Sequence, residues 1–162
     1  MDYNLVIKPM AEEHLVAVAA IEKNSFQEPW SLDSFQAEIE TNRLAIYLVA
    51  CLEKKVIGYI GAWIIINEVH ITTLAVHSER RRQGVASRLI GALMEITGPR
   101  GASCLTLEVR PSNSSAISFY EKCGFQVLGC RKHYYVDEDA LIMTKTNLTL
   151  PERVNKGEHH EE

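Results

Sequence analysis

Between Glu68 and Thr97 the chain changes its side-chain period once, and that change narrows the folds open to it. The run "EVHITTLAV" is rich in β-branched residues and reads as a strand. After the polar stretch "HSERRRQG", the run "VASRLIGALMEIT" takes up helical spacing. A strand that enters a short polar turn and leaves it as a helix belongs to a layered α/β domain. Gly84 lets the backbone of that turn approach a ligand closely, and Ala86 keeps the next contact small. The free N–H groups of the helix's first turn, reinforced by its dipole, then face an anion. Arg81, Arg82 and Ser87 stand where side chains can add to that contact.

Other uses of the arginines fit less well. A nucleic-acid patch usually has about five to eight basic residues. This run has three, in a chain whose formal net charge is -4. No direct nucleic-acid binding is therefore expected. A Walker loop needs Gly-Lys-Ser/Thr and a dinucleotide turn needs G-x-G-x-x-G, and the stretch carries neither. The most apolar run, "VIGYIGAWIII", is too short to span a bilayer as a helix and reads as a buried strand. The first ten residues lack the basic start and apolar centre of a signal peptide. Cys51, Cys104, Cys123 and Cys130 have no C-x-x-C spacing, so no zinc site or disulfide framework is expected. These features predict a cytoplasmic protein that binds neither membrane nor metal.

The remaining periods give the order β-α-α-β-β-β-α-β-α-β-β. "YNLVIKPM" is a short strand ended by Pro9, and a helical face from Ala11 carries Leu15, Val18, Ala19 and Glu22. Ser31 caps the next helix, and Asn113 caps the helix in "NSSAISFYEKC", which Gly124 ends. Gly98-Pro99 is expected to stop the helix that follows the arginines. Residues 1–147 form one mixed α/β domain on this reading, and residues 148–162 form a polar, disordered tail.

Two motifs, in this order and spacing, resemble the Gcn5-related N-acetyltransferase (GNAT) superfamily: "LAVHSERRRQGVASRLI" and "LEVRPSNSSAISFYEKCGF". The similarity extends from about Tyr3 to Thr146. With "PWS…F" (Pro29, Trp30, Ser31, Phe35) and "HYYVDEDALIM", the chain looks most like the RimI-type ribosomal-protein-alanine N-acetyltransferases. The resemblance implies a single-domain α/β fold. Its mixed central sheet of about seven strands would carry helices on both faces and an acetyl-CoA cleft splayed between the fourth and fifth strands. It implies acetyl-CoA as co-substrate, with Leu74, Ala75, Val76, Arg81, Arg82, Gln83, Gly84, Val85, Ala86, Ser87 and Asn113 on the cofactor. It assigns Glu108 as general base and Tyr120 as general acid. Trp30, Glu68, Tyr134 and Tyr135 are the expected acceptor-side residues. The partner implied is the N-terminal segment of a ribosomal protein, small-subunit protein eighteen; the sequence does not give the oligomeric state, and a monomer is favoured. Thr73, His133 and Val136 depart from the residues associated with that group.

Residue by residue, duller accounts compete. Glu108 and Arg110 lie two apart on a strand, where a surface ion pair is the default. Tyr120 shares a helical face with Ala116 and Cys123 and suits a core. Trp30 can simply seat the helix that Ser31 begins, and Asp137, Glu138 and Asp139 suit a charged hairpin turn. The acceptor chemistry nevertheless favours one carboxylate. An α-amino group titrates near 7.7–8.0 and a lysine near 10.4, so a lysine costs roughly 3.4 kcal/mol more to deprotonate. A single general base is enough for a protein N-terminus. Within the same fold, acetylation of lysine side chains or small amines is the alternative. A module that binds acetyl-CoA without catalysis is another.

Overall fold

The computed structural model describes residues 4–148. Apart from Leu148, which packs against the core, the expected tail lies outside the described residues. The strands are β1 (Leu5–Pro9), β2 (Ala45–Leu52), β3 (Lys55–Ile65), β4 (Glu68–Val76), β5 (Cys104–Val109), β6 (Gln126–Arg131) and β7 (Ala140–Lys145). The helices are α1 (Leu15–Ser25), α2 (Leu32–Thr41), α3 (Val85–Thr97) and α4 (Ser114–Lys122). One seven-stranded sheet runs in the order β1-β2-β3-β4-β5-β7-β6. Its pairs are antiparallel except β4 with β5, which α3 joins as a crossover. The element order and the mixed sheet are those expected from the sequence.

Local chemistry explains most boundaries. The Ser34 N–H donates to Ser31 Oγ at 3.1 Å, and the Ala116 N–H donates to Asn113 Oδ1 at 3.2 Å, so both predicted caps form. Gly124 ends α4 at φ +94°, a region that glycine enters without penalty. Pro9 sits on an edge strand, where its missing N–H breaks no ladder. One boundary differs from expectation. A 3-10 turn over Glu12–His14 precedes α1, so the helix begins at Leu15 and not at Ala11. Gly98-Pro99 ends α3 at Thr97 as expected, and the chain runs on as a 3-10 turn over Gly98–Arg100 that Gly101 reverses at φ +85°. Proline is tolerated in the first turn of that piece because its N–H is not needed there.

The sheet is covered on both faces. On one face α1 and α2 bury Leu15, Val18, Ile21 and Phe35 against Tyr47, Val49 and Tyr59. The Phe35 ring meets the Tyr59 and Tyr47 rings edge-on, at 5.7 and 6.2 Å. The other face holds Val85, Leu89, Ile90, Leu93 and Met94 of α3 with Leu105, Leu107 and Phe125, and the apolar side of α4 packs beside them. A β-carbon at Gly61 would collide with the Tyr47 ring on the paired position of β2. Glycine there lets Tyr47 lie across β3 and reach Thr72 Oγ1 with its hydroxyl, at 3.2 Å.

Candidate active site

The site begins with an irregularity in β4. Gly61 of β3 faces Thr73 and Ala62 faces Ile71, so Thr72 is an extra residue with no partner. A bulge of this kind bends the strand. On the other side, β4 pairs with β5 only over Glu68–His70 against Cys104–Thr106. Beyond those three rungs the two strands diverge. The opening lies between the fourth and fifth strands, as the family resemblance implies.

The opening contains two cavities. One, of about 620 Å³, is lined by Leu74, Ala75 and Val76 of β4, by the arginine turn, and by the start of α4. Every residue expected at the cofactor lines it except Gln83, whose side chain turns back to donate to the Glu79 carbonyl at 3.4 Å. Gly84 is the N-cap of α3, at φ +81°, with no side-chain cap. The first α3 bond in the ladder runs from the Arg88 N–H to the Gly84 carbonyl at 3.1 Å, which leaves the amides of Val85, Ala86 and Ser87 ahead of it. A β-carbon on Gly84 would meet nothing within 4 Å, so the space in front of these amides is open. Arg81 is used differently from the sequence reading. Its Nε donates to the Val76 carbonyl at 3.1 Å and its Nη2 to Ser25 Oγ at 3.4 Å. It braces the turn against β4 and α1.

The second cavity, of about 460 Å³, is lined among others by Trp30, Thr73, Glu108, Arg110, Tyr134 and Tyr135. Phe26, Leu74 and Tyr120 line both cavities, so the two meet at these side chains. Trp30 does both things weighed for it: its ring packs on Phe35 at 5.6 Å and also walls this cavity. Arg110 lies over the Tyr135 ring at 4.0 Å and pairs with Asp137 at 2.5 Å and Glu138 at 3.3 Å. The acidic turn is thus tied to the protein itself, as a charged hairpin would be.

Glu108 has a different partner from the expected Arg110. His70 Nε2 lies 2.5 Å from Glu108 Oε2, and Arg131 Nη1 lies 3.4 Å from Oε1. Burial pushes the Glu108 carboxyl upward, but the hydrogen bond and charge of His70, with Arg131, outweigh it and hold it below its ordinary value. Glu108 is therefore ionised at neutral pH. Tyr120 packs against Phe119 at 5.3 Å and Phe125 at 5.6 Å. Burial, with smaller contributions from Cys123 and Tyr135, raises its hydroxyl pKa, so it keeps its proton. Tyr135 is pushed up to about 12, mainly by burial.

Glu68 does not reach this site. It stands at the start of β4, exposed, opposite Cys104 on the side where the strands are still paired, and lines neither cavity. Strand alternation puts His70 on the same face as Glu68, two positions away, and that is the signal in the sequence that points to His70. A buried carboxylate also escaped the reading of the cleft. Glu22 of α1, on the wall of the second cavity, accepts from the Tyr59 hydroxyl, from Thr73 Oγ1 at 3.0 Å and from the Trp30 N–H at 3.5 Å. Burial raises its pKa against those hydrogen bonds.

Open helix amides beside a bulged, splayed strand pair form a cleft in the sheet whose chemistry suits an anionic group. The chain belongs to the Acetyltransferase (GNAT) family, whose sequence pattern matches residues 15–125. It is 39% identical over 148 residues to a Bacillus subtilis (strain 168) protein provisionally named a ribosomal protein bS18-alanine N-acetyltransferase. That match covers 90% of this chain and 98% of the relative. The ribosomal protein bS18-alanine N-acetyltransferase of Escherichia coli (strain K12) is 30% identical over 141 residues, covering 85% of this chain and 94% of that one. The crystal structure of the ribosomal-protein-S18-alanine N-acetyltransferase from Escherichia coli superposes with a TM-score of 0.79. It has 28% identity and covers 93% of this chain and 98% of that one.

Proposed function

We propose that this chain transfers the acetyl group of acetyl-CoA to the N-terminal alanine of ribosomal protein bS18, with Glu108 accepting the proton and Tyr120 donating one. The observation that carries this reading is the junction of the two cavities. Tyr120 borders both, whereas Glu108 borders only the acceptor side. Near full-length similarity to bS18-alanine acetyltransferases supports the choice of acceptor. Among the described residues no helix is long and apolar enough to cross a membrane, and the reading has the enzyme act in the cytoplasm, where ribosomes are built.

The donor-side residues fit acetyl-CoA. The open space before the Val85, Ala86 and Ser87 amides suits a pyrophosphate, and the apolar stretch Leu74–Val76 suits the pantetheine arm. When bound, acetyl-CoA supplies an activated acetyl thioester. The protein's own groups do the rest. The β4 backbone beyond the bulge orients the donor, and the acceptor cavity holds the peptide end in line. Glu108, ionised and at the acceptor end, takes a proton from the ammonium, directly or through water. Tyr120 offers its O–H to the sulfur.

The test offers the protein acetyl-CoA and the N-terminal peptide of bS18, then locates the label by mass spectrometry. Acetylation of the first residue is expected. Acetyl groups on lysines alone, or no transfer to any amine, would reject the reading. The donor site is checked separately. Gly84→Val should weaken acetyl-CoA binding by calorimetry about tenfold or more, because a branched side chain would occupy the space before the amides. The strain of a β-carbon at this φ adds roughly 1–2 kcal/mol of cost to the turn. Affinity equal to the parent's would mean that the turn is misassigned.

A further inference from the structure

His70 stands where the backbone pairing of β4 and β5 ends. Its partner Thr106 is the last residue of β5 joined to β4, and Glu108 follows two positions later on the same face. The imidazole therefore spans the two strands at the point where they part, and touches Glu108 Oε2 at 2.5 Å. Because the carboxylate is ionised it can only accept, so Nε2 carries the shared proton. The ring is itself held. Trp63, opposite His70 on β3, meets it edge-on at 6.4 Å. Trp63 Nε1 in turn donates to Glu38 Oε2 of α2 at 2.6 Å. Glu108 is thus gripped at one oxygen by a rigid chain from α2 through Trp63 and His70. At the other, among the described residues, it meets the half-exposed Arg131 at 3.4 Å.

We infer that His70 is a positioning residue of this enzyme: its Nε2–H fixes the rotamer of the Glu108 carboxylate and leaves Oε1 to face the acceptor. The inference rests on the reading of Glu108 as the base. His70 does not touch the reacting atoms on this account. It sets the direction and the basicity of the group that does. Arg131 of β6 and the Tyr134 and Tyr135 hydroxyls of the β6–β7 loop are the other titratable or charged groups that act on Glu108. Arg131 is the one that replaces part of the grip when His70 is lost.

The test uses the full chain with ¹³C-carboxyl-labelled glutamate. The Glu108 resonance is identified by its absence in Glu108→Gln. In His70→Ala the midpoint of that resonance should move up, because a hydrogen-bond donor to the ionised form is gone. Turnover should fall about tenfold, with KM for acetyl-CoA unchanged. His70→Gln, which returns a neutral donor on a side chain of similar reach, should recover part of both. If Glu108→Gln is inactive while the midpoint or the turnover of His70→Ala equals the parent's, the inference is overturned. If Glu108→Gln turns over at the parent rate, the base assignment fails instead, and a moved midpoint in His70→Ala shows that the coupling itself is real.

Discussion

Replacing Tyr120 by phenylalanine should lower kcat by roughly 10²–10³-fold while the affinity for acetyl-CoA stays close to the parent's. The ring is part of the core, packed against Phe119 and Phe125, and phenylalanine keeps that packing. Only the hydroxyl is lost. An ordinary tyrosine titrates near 10 and a thiol near 8.5, so handing the proton to a thiolate is uphill by about 2 kcal/mol. Burial raises the Tyr120 hydroxyl further. On the proposed reading its main effect is therefore to donate a hydrogen bond to charge as it develops on sulfur, with proton transfer following that charge. The magnitude accordingly matches loss of a single aimed donor. Calorimetry with acetyl-CoA and steady-state kinetics with a bS18 N-terminal peptide separate the two parameters. A kcat equal to the parent's would leave Tyr120 as a packing residue.

Glu108→Gln should reduce kcat/KM by about 10²–10⁴-fold near pH 7, and the deficit should shrink as pH rises. An α-amine titrating near 7.7–8.0 is largely neutral by about pH 9 and then needs no base. A deficit that stays constant across pH would count against proton removal. The same variant has a stability signature. The folded-state pKa of Glu108 is depressed below its ordinary 4.5, by His70 and Arg131 against the upward push of burial. Such a group stabilises the fold above its unfolded pKa, and that contribution is lost as pH falls through the folded value. The Tm of the parent should therefore fall more steeply than that of Glu108→Gln once pH drops below about 4.5. A parallel decline of the two would show that the His70–Glu108–Arg131 contacts add nothing to folding.

The donor half of the cleft was legible because it depends on local chemistry. A period change and one glycine mark the arginine turn, the family resemblance adds Leu74–Val76 and the distant Asn113, and of all these only Gln83 stays off the cavity wall. The acceptor half depends on which strands lie side by side, and no local pattern reveals that. Glu108 was read beside Arg110, its neighbour in sequence, yet the parallel pairing of β4 with β5 gives it His70, 38 positions away. Glu22 could be placed on an inward helical face, but not beside Thr73, which meets it across 51 positions. Two departures from the expected family residues gain physical meaning. Thr73 is buried and supplies a hydroxyl to Glu22. His133 occupies a left-handed position, φ +54°, where asparagine and histidine are among the better tolerated residues. Its N–H is held by Asp139 at 2.8 Å. Neither change touches the donor cavity.

The short parallel pairing of β4 with β5 also has a mechanical meaning. The sheet is two plates, of four and three strands, hinged along three rungs at one end. On the proposed reading the donor lies in this gap and bears on both plates, so binding ties the least paired seam of the sheet. A donor present at about a hundred times its Kd would add about 2.7 kcal/mol to the fold. The melting temperature of this fold should therefore climb with the concentration of acetyl-CoA, a coupling written into the sheet by three short rungs.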